Sequence, residues 1–407
     1  MFTENQKDPG AAFLQEIGFT DYGNGEIGDR LESLYGWKKA DKLLAEWENI
    51  GSGTNEFYEF KNSDPGLSRI FSETFDGDIL RQACNYVSEH KEYFGSTILE
   101  VGCESGYMTA FLAGMFPDSK IVSIDRCEPA LKMAEKRISD MNIGNVEFKN
   151  CSLRDVDGLY DTVFCMRTIQ ENFNKDDTPY EGEPLLYQFA VLKALTEEYT
   201  QLLIGHLKES GSLCVFERIG HDSLLCGWLL QLEKSSCGIL LNTYKEIQCR
   251  EAYIKNTFQA FIAKKGNKNT LKQILDLWYA PISHYDSSMN VLNGWKALDY
   301  LNRNAGRLIR GVRIYDNKTD DQIGRFALFE DCDSYQTIYF LVSTGNADDV
   351  TLFSYDRSVE HDILGKIQEM IKKNEEVGYY YKELDPSDKI LEGNIKIGFV
   401  KRYQIEK

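Results

Sequence analysis

The sequence predicts an α/β protein built on a doubly wound, mostly parallel, seven-stranded sheet, with a helical segment before it and an α+β module after it. Three observations lead there. From Thr97 onward short apolar runs alternate with amphipathic stretches, as a parallel sheet covered by helices on both faces requires. The first apolar run, Ile98–Val101, passes into a glycine-containing turn, Gly102-Cys103-Glu104-Ser105-Gly106. The second, Lys120–Ile124, ends in an acidic residue, Asp125.

The elements follow in order. Further strands are read at Val146–Phe148, Thr162–Cys165 and Ser212–Glu217, and helices at Tyr107–Met115, Pro129–Met141 and Pro184–Lys208. A helix through Trp228 and an antiparallel pair ending at Phe258–Lys264 close the sheet. Ahead of this, residues 1–77 read as mainly helical and rich in aromatics, among them Trp47, Phe57, Tyr58, Phe71 and Phe75. The Asp64-Pro65-Gly66 turn interrupts them, and Pro65 opens a helix running towards His90. The polar run Lys264–Asn269 marks a boundary, so the sheet domain spans 78–266 and the last module 267–407. In that module, strands are read at Leu308–Tyr315, Arg325–Phe329, Thr337–Val342, Val350–Ser354, Gly378–Lys382 and Asn394–Val400, with a helix at His361–Lys373.

Bulk properties narrow the class. A chain of 407 residues is too long for one ordinary core, which agrees with the division into domains. The formal net charge of −18 opposes a phosphate backbone, so free nucleic acid is a poor partner and a small-molecule substrate a better one. No apolar run approaches the roughly 20 residues that cross a bilayer, and the start MFTENQKDPG lacks the pattern of a secretory leader. The expected location is the cytoplasm. The ten cysteines are scattered singly, so neither a metal site nor a disulfide framework is expected.

The chemistry sits at the first two strand ends. Gly102 and Gly106 allow the backbone to approach a ligand closely, and the helix that follows offers free N–H groups. Asp125 can accept bonds from both hydroxyls of a ribose. That geometry binds a nucleoside, and Glu104 tells against one carrying a pyrophosphate, since it would set like charge beside the phosphates. S-adenosylmethionine has no phosphate and bears a sulfonium and an ammonium, which tolerate Glu100 and Glu104.

These residues resemble motif I of the class I S-adenosylmethionine-dependent methyltransferases, a Rossmann-like family, usually an acidic residue followed by G-x-G-x-G. The resemblance continues through Asp125, Val146–Leu153, Leu159–Cys165 and the turn His206–Gly211 into the fifth strand, and covers roughly Asp78 to Lys264. It implies that Glu100, Gly102, Cys103 and Gly106 hold the methionine end. It places Asp125 and Arg126 at the ribose, Ser152 and Leu153 at the adenine, and Arg167 near the sulfonium and the substrate. Two positions depart from the pattern. Glu104 stands where the middle glycine usually is, and Ser152 where an aspartate commonly bonds the adenine. A plain alternative for Asp125 is a helix N-cap.

Ligands in such sheets sit beyond the carboxyl ends of the strands, so acceptor-side groups are sought after the fourth and fifth strands. Glu171 and His221 are the candidate bases. Positions after the fourth strand read Met166-Arg167-Thr168-Ile169, not the proline-proline-aromatic motif of enzymes that methylate nucleobases. The aromatic N-terminal segment serves either as a lid over the cofactor or as packing against the sheet. The last module is read as a substrate-recognition or oligomerisation element. The expected activity is methyl transfer to an O or N atom of a small molecule. A catalytically silent scaffold and a protein methyltransferase remain open at this level.

Overall fold

A computed structural model describes residues 8–19, 27–51, 54–173, 191–219, 222–252, 254–270, 273–274, 277, 290–343 and 350–384. They fall into two compact units, one up to residue 270 and one formed by the residues after it.

The first unit holds an eight-stranded sheet: β1 (Thr97–Val101), β2 (Lys120–Asp125), β3 (Val146–Asn150), β4 (Tyr160–Met166), β5 (Leu207–Glu217), β6 (Cys237–Ile239), β7 (Lys245–Glu251) and β8 (Ile254–Lys265). The order is β3-β2-β1-β4-β5-β8-β6, with β7 also on β8. β6 and β7 pair with the two ends of the same strand, Lys265–Ala263 and Ala260–Ile254, so they form one lane in two pieces. The sheet therefore has seven lanes, as expected. β1 to β5 are mutually parallel, and β8 runs antiparallel to β5. The chain crosses to β2 on one side of β1 and to β4 on the other, which opens a crevice at their carboxyl ends.

Burial explains the strands. Ile98 and Leu99 of β1 are fully enclosed, as are Val163, Leu213, Cys214, Val215 and Phe216 further along the sheet. Such runs suit strands covered on both faces and not alternating amphipathic ones. The helix Tyr107–Met115 is buried along nearly its whole length, from Tyr107 to Ala113, because it lies under the N-terminal helices as well as on the sheet.

One boundary is corrected. The helix read over Pro184–Lys208 ends at Gly205, and β5 already begins at Leu207. The pairing slips between Tyr160↔Leu207 and Thr162↔Ser212, so Lys208–Gly211 forms a bulge within the strand, which local periodicity cannot reveal. Residues 184–190 lie outside the described residues.

The N-terminal part of this unit is helical: Pro9–Glu16, Ile27–Tyr35, Trp37–Ile50, Asn55–Lys61 and Pro65–Phe71. Asp64 caps the last of these through Gly66 and Leu67, and Pro65 takes the first helical position. The chain then passes through a π-turn, Ser72–Asp76, into the helix Gly77–Glu89. Phe60, Leu67, Ile70 and Phe71 form a small core with Leu31 and Ala40, and Trp47 and Phe57 pack against it.

The second unit carries a six-stranded sheet in the order β14-β10-β11-β12-β13-β9, antiparallel throughout. These are β9 (Asn290–Asn293), β10 (Ala305–Asp316), β11 (Gln322–Asp331), β12 (Thr337–Ser343), β13 (Val350–Asp356) and β14 (Tyr379–Glu383). The helix Glu360–Glu376 sets Ile363, Ile367 and Ile371, one turn apart, on Val312, Leu328 and Ile338 of the sheet. β9 and the helix Gly294–Asn304 had no expectation, and the expected strand Asn394–Val400 lies outside the described residues. Among the described residues no helix is long and apolar enough to cross a membrane.

Candidate cofactor and acceptor site

The site starts at the turn after β1. Gly102 (φ +74°) and Gly106 (φ +78°) adopt left-handed backbone, and a Cβ at either would collide with a neighbour. At Gly102 the obstacle is Thr168 Cγ2, so the loops after β1 and β4 touch at the crevice. At Gly106 it is the Ala134 backbone and Cβ, so this glycine lets the two helices flanking β2 approach. Gly102 N and Cys103 N both donate to the Ile124 carbonyl at 2.9 and 3.1 Å, tying the turn to the end of β2. Arg137 donates to the Ser105 carbonyl at 3.0 Å and lies over the Tyr107 ring.

Asp125 ends β2 beside this turn. Its carboxylate accepts from Glu104 N and Cys127 N, each at 2.8 Å. The helix Glu128–Asp140 has Cys127 at its N-cap, so Asp125 is a brace between two loops and not the cap. Burial raises its pKa. Glu100 is buried in β1 and accepts from Thr109 Oγ1 at 2.6 Å and Ser123 Oγ at 2.7 Å. Burial lifts its pKa to about 7, against which the two hydroxyls work.

A cavity of about 1200 Å³ runs from these strand ends to the N-terminal helices. Glu100, Gly102, Cys103, Asp125, Arg126, Ser152, Leu153, Arg167 and Glu171 all line it. Gly106 stands behind the turn. Cys103 is buried, its thiol directed at the Glu104 carbonyl, and Leu153 is buried in the cavity wall. The Ser152 hydroxyl donates to Asp155 at 2.6 Å, so a serine here is anchored by an aspartate three residues on. Arg126 is exposed at the rim. His221 lies outside the described residues.

Arg167 is held away from a freely moving role. It sits at φ +58°, paired with Asp76 and, at 3.0 Å, with Glu251. Burial opposes its charge, yet those carboxylates outweigh it and raise its pKa. Asp76 also pairs with Lys61 at 2.9 Å, and Lys61 reaches Glu104 at 2.9 Å. Burial likewise opposes the charge of Lys61, and Asp76 and Glu104 overcome it. Glu104, at φ +46°, also accepts from Asn62 at 3.2 Å and Ser105 at 3.0 Å. The residue in place of the middle glycine thus fastens the helix Asn55–Lys61 to the turn after β1.

Sequence reasoning missed Lys61 and Asp76, reached Tyr58 only as one of the aromatics of the N-terminal segment, and reached Glu217 only as part of the stretch after the fifth strand. Nothing in Phe57-Tyr58-Glu59-Phe60-Lys61 marks the lysine as buried. Glu217 left a faint signal, an acid closing the apolar run Leu213–Phe216. It is buried and accepts from Thr168 N at 2.6 Å and Ile169 N at 3.0 Å, shaping the loop after β4. Burial raises its pKa to about 7, partly offset by those two bonds.

The sign of the Glu217 effect follows from linkage. Between the unfolded carboxylate value near 4.5 and about 7 the folded state holds the extra proton, so its stabilising contribution is full below 4.5 and lost as pH rises to about 7. Glu217→Gln keeps an acceptor oxygen for both N–H groups and cannot ionise. Its stability relative to the parent protein should rise between pH 4.5 and 7 by up to ~3 kcal/mol and then level off. Urea unfolding at a series of pH values checks this, and a flat difference would show that Glu217 titrates normally.

A glycine cradle and a carboxylate at adjoining parallel strand ends define a nucleoside-binding α/β domain. Residues 98–180 match the family described as "Methyltransferase domain". The match begins in β1 and runs past the end of β4, so it takes in the glycine turn and the carboxylate at the end of β2.

The chain is 31% identical over 130 residues to an uncharacterized protein of Rickettsia prowazekii, covering 31% of this chain and 24% of that protein. It is 33% identical over 99 residues to malonyl-(acyl-carrier protein) O-methyltransferase of Bacillus cereus, covering 22% of this chain and 35% of that protein. The matches thus span well under half the length of these curated relatives. Among solved structures it is similar to a SAM dependent methyltransferase from Aquifex aeolicus, with 16% identity, TM-score 0.33, and 53% and 100% of the two chains covered. It is also similar to the N-methyltransferase NodS from Bradyrhizobium japonicum in complex with S-adenosyl-L-homocysteine, with 12% identity, TM-score 0.36, and 52% and 98% covered.

The family's cofactor is S-adenosylmethionine, and the residues present fit it. A Cβ would fill the cradle at Gly102, Asp125 offers a carboxylate at the strand end, and Glu100 and Glu104 suit a ligand that is cationic and lacks phosphate.

Proposed function

We propose that the protein transfers a methyl group from S-adenosylmethionine to an O or N atom of a small-molecule acceptor. The observation that carries this is the continuity of one cavity from Gly102 and Asp125 to Glu171 and Tyr58, which gives the two reactants adjoining places. When bound, the cofactor supplies an electrophilic methyl group on a sulfonium.

The chain's own residues position the partners. Asp125 would hold the ribose hydroxyls, with Arg126 at the rim beside it. Leu153 and Ser152 would meet the adenine. The turn Gly102–Gly106, with Cys103 packed behind it, would receive the methionine end, and Glu100 would favour its ammonium. Arg167 acts as a brace: through Asp76 and Glu251 it fixes the loop after β4, which carries Thr168 and Glu171 to the acceptor side. Alignment of the reacting atoms and exclusion of water account for much of the acceleration such a site can give. Glu171 is the acceptor-side base, with His221 as the other candidate.

The helices from Asn55 to Asp76 are read as the lid of this cavity. They contribute Phe57, Tyr58, Phe71 and Phe75 to its wall, and Lys61 and Asn62 fasten them to Glu104. The unit from residue 271 onward is read as a substrate-recognition or oligomerisation element. Isothermal titration with S-adenosylmethionine and S-adenosylhomocysteine tests the cofactor reading. Tritium transfer from labelled cofactor into the small-molecule fraction of a cell extract, against the protein fraction, tests the acceptor. No heat of binding at millimolar cofactor defeats the proposal.

A further inference from the structure

We infer that the acceptor is an amine and that Glu171, oriented by Tyr58, takes its proton. This rests on the methyltransferase reading above and names the substrate class of the same site.

The geometry is local and built from both sides of the cavity. Tyr58 Oη donates to Glu171 Oε1 at 2.9 Å, across 113 residues of sequence. Glu171 stands in the short turn Gln170–Asn172, just past the carboxyl end of β4, where acceptors meet cofactors in such sheets. Tyr58 lies one turn before Lys61, whose ammonium holds Glu104 of the cofactor turn at 2.9 Å. The pair is thereby indexed to the cofactor cradle and not merely near it.

Charge selects the acceptor. Lys61 is shared by Asp76 and Glu104, Arg167 by Asp76 and Glu251, while Arg218 is paired with Glu251 and Arg154 with Glu198. The wall's cations are therefore engaged with carboxylates, except Arg126 at the exposed rim on the ribose side. Glu171 differs, since the bond described to it comes from a neutral phenol. Arg167 also feels the charge of Glu171 but is engaged directly by Asp76 and Glu251, so Glu171, in a wall where carboxylates outnumber cations among the described residues and Phe57 and Trp47 add aromatic surface, attracts an ammonium and repels an acid.

The step balances. An alkylammonium gives one N–H proton to the Glu171 carboxylate, and the freed nitrogen pair forms the bond to the methyl carbon. The carbon–sulfur bond breaks with its electron pair left on sulfur, and the positive charge passes from sulfonium to nitrogen. Glu171, exposed at one edge, returns the proton to water. Tyr58 is a positioning residue: its hydrogen bond fixes which carboxylate oxygen faces the acceptor.

The test uses the full chain. S-adenosylhomocysteine is titrated first, and failure to bind there overturns the cofactor reading itself. With that ligand saturating, 2-phenylethylamine, 2-phenylethanol and 3-phenylpropionate are titrated in turn. The amine should bind at least tenfold tighter than either of the others. Glu171→Gln should erase that preference while S-adenosylhomocysteine affinity stays within twofold, and Glu171→Asp, which retains the charge, should keep the preference. Tyr58→Phe should leave amine binding within threefold but lower tritium transfer to the amine more than tenfold and move the pH profile of kcat/KM. Equal or tighter binding of the alcohol or the acid overturns the amine assignment, as does no binding of the amine. A preference unchanged in Glu171→Gln overturns the role of Glu171.

Discussion

Asp125→Ala is expected to weaken S-adenosylmethionine binding about 1000-fold. Two hydrogen bonds from ribose hydroxyls to a carboxylate contribute roughly 2 kcal/mol each, and about 4 kcal/mol corresponds to that factor. Part of the loss is indirect, because the same carboxylate braces Glu104 N and Cys127 N at 2.8 Å and the cradle loosens without it. Asp125→Asn separates the contributions. An amide can still accept from one of the two N–H groups but must turn its NH2 towards the other, so it should fall between alanine and the parent. Calorimetric titration reads the affinity, and thermal unfolding of the ligand-free variants shows whether the fold survives. An Asp125→Ala protein that binds within tenfold of the parent would place the ribose elsewhere.

Gly102→Ala should cost about 4 kcal/mol of stability and remove cofactor binding with it. Part of that is backbone strain, since φ +74° disfavours any residue with a Cβ. The larger part is steric: the new methyl would occupy the place of Thr168 Cγ2, and a strand end and a loop would have to separate. Thr168→Ser removes that methyl and keeps the hydroxyl. The double variant Gly102→Ala with Thr168→Ser should therefore recover about half of the lost stability, as read from urea unfolding. Additive losses in the double variant would mean that the two loops do not meet at the crevice.

The aromatic N-terminal segment shows how a departure from a family pattern acquires a meaning only in three dimensions. In the sequence, Glu104 is only a departure from the glycine that the family pattern usually has there. In the structure its carboxylate is gripped by Lys61 and Asn62 of the helix above, with Ser105 alongside. Burying Lys61 carries a desolvation cost, which two carboxylates within hydrogen-bonding distance offset. A glycine at position 104 would leave that lysine with Asp76 alone and the helix without its anchor on the turn.

Arg167 shows the same limit from the other side. The resemblance places it near the sulfonium, yet its guanidinium is engaged with Asp76 and Glu251, which lie in separate parts of the chain. A position in a motif identifies the loop, while the partners of the side chain decide whether it meets a ligand or holds a scaffold.

By itself, the sequence determined the alternation of buried strands and helices, the glycine turn after β1 and the carboxylate closing β2. Those features are local, because strand burial, glycine conformations and an acid at a strand end are written within a few residues of one another. The tertiary structure alone decided that Tyr58 meets Glu171, that Lys61 lies buried between Asp76 and Glu104, that Glu217 shapes the loop after β4, and that β5 starts at Leu207 through a bulge. Each joins groups far apart in the chain or depends on the register of a neighbouring strand, and a buried charge is stable only where distant partners converge on it.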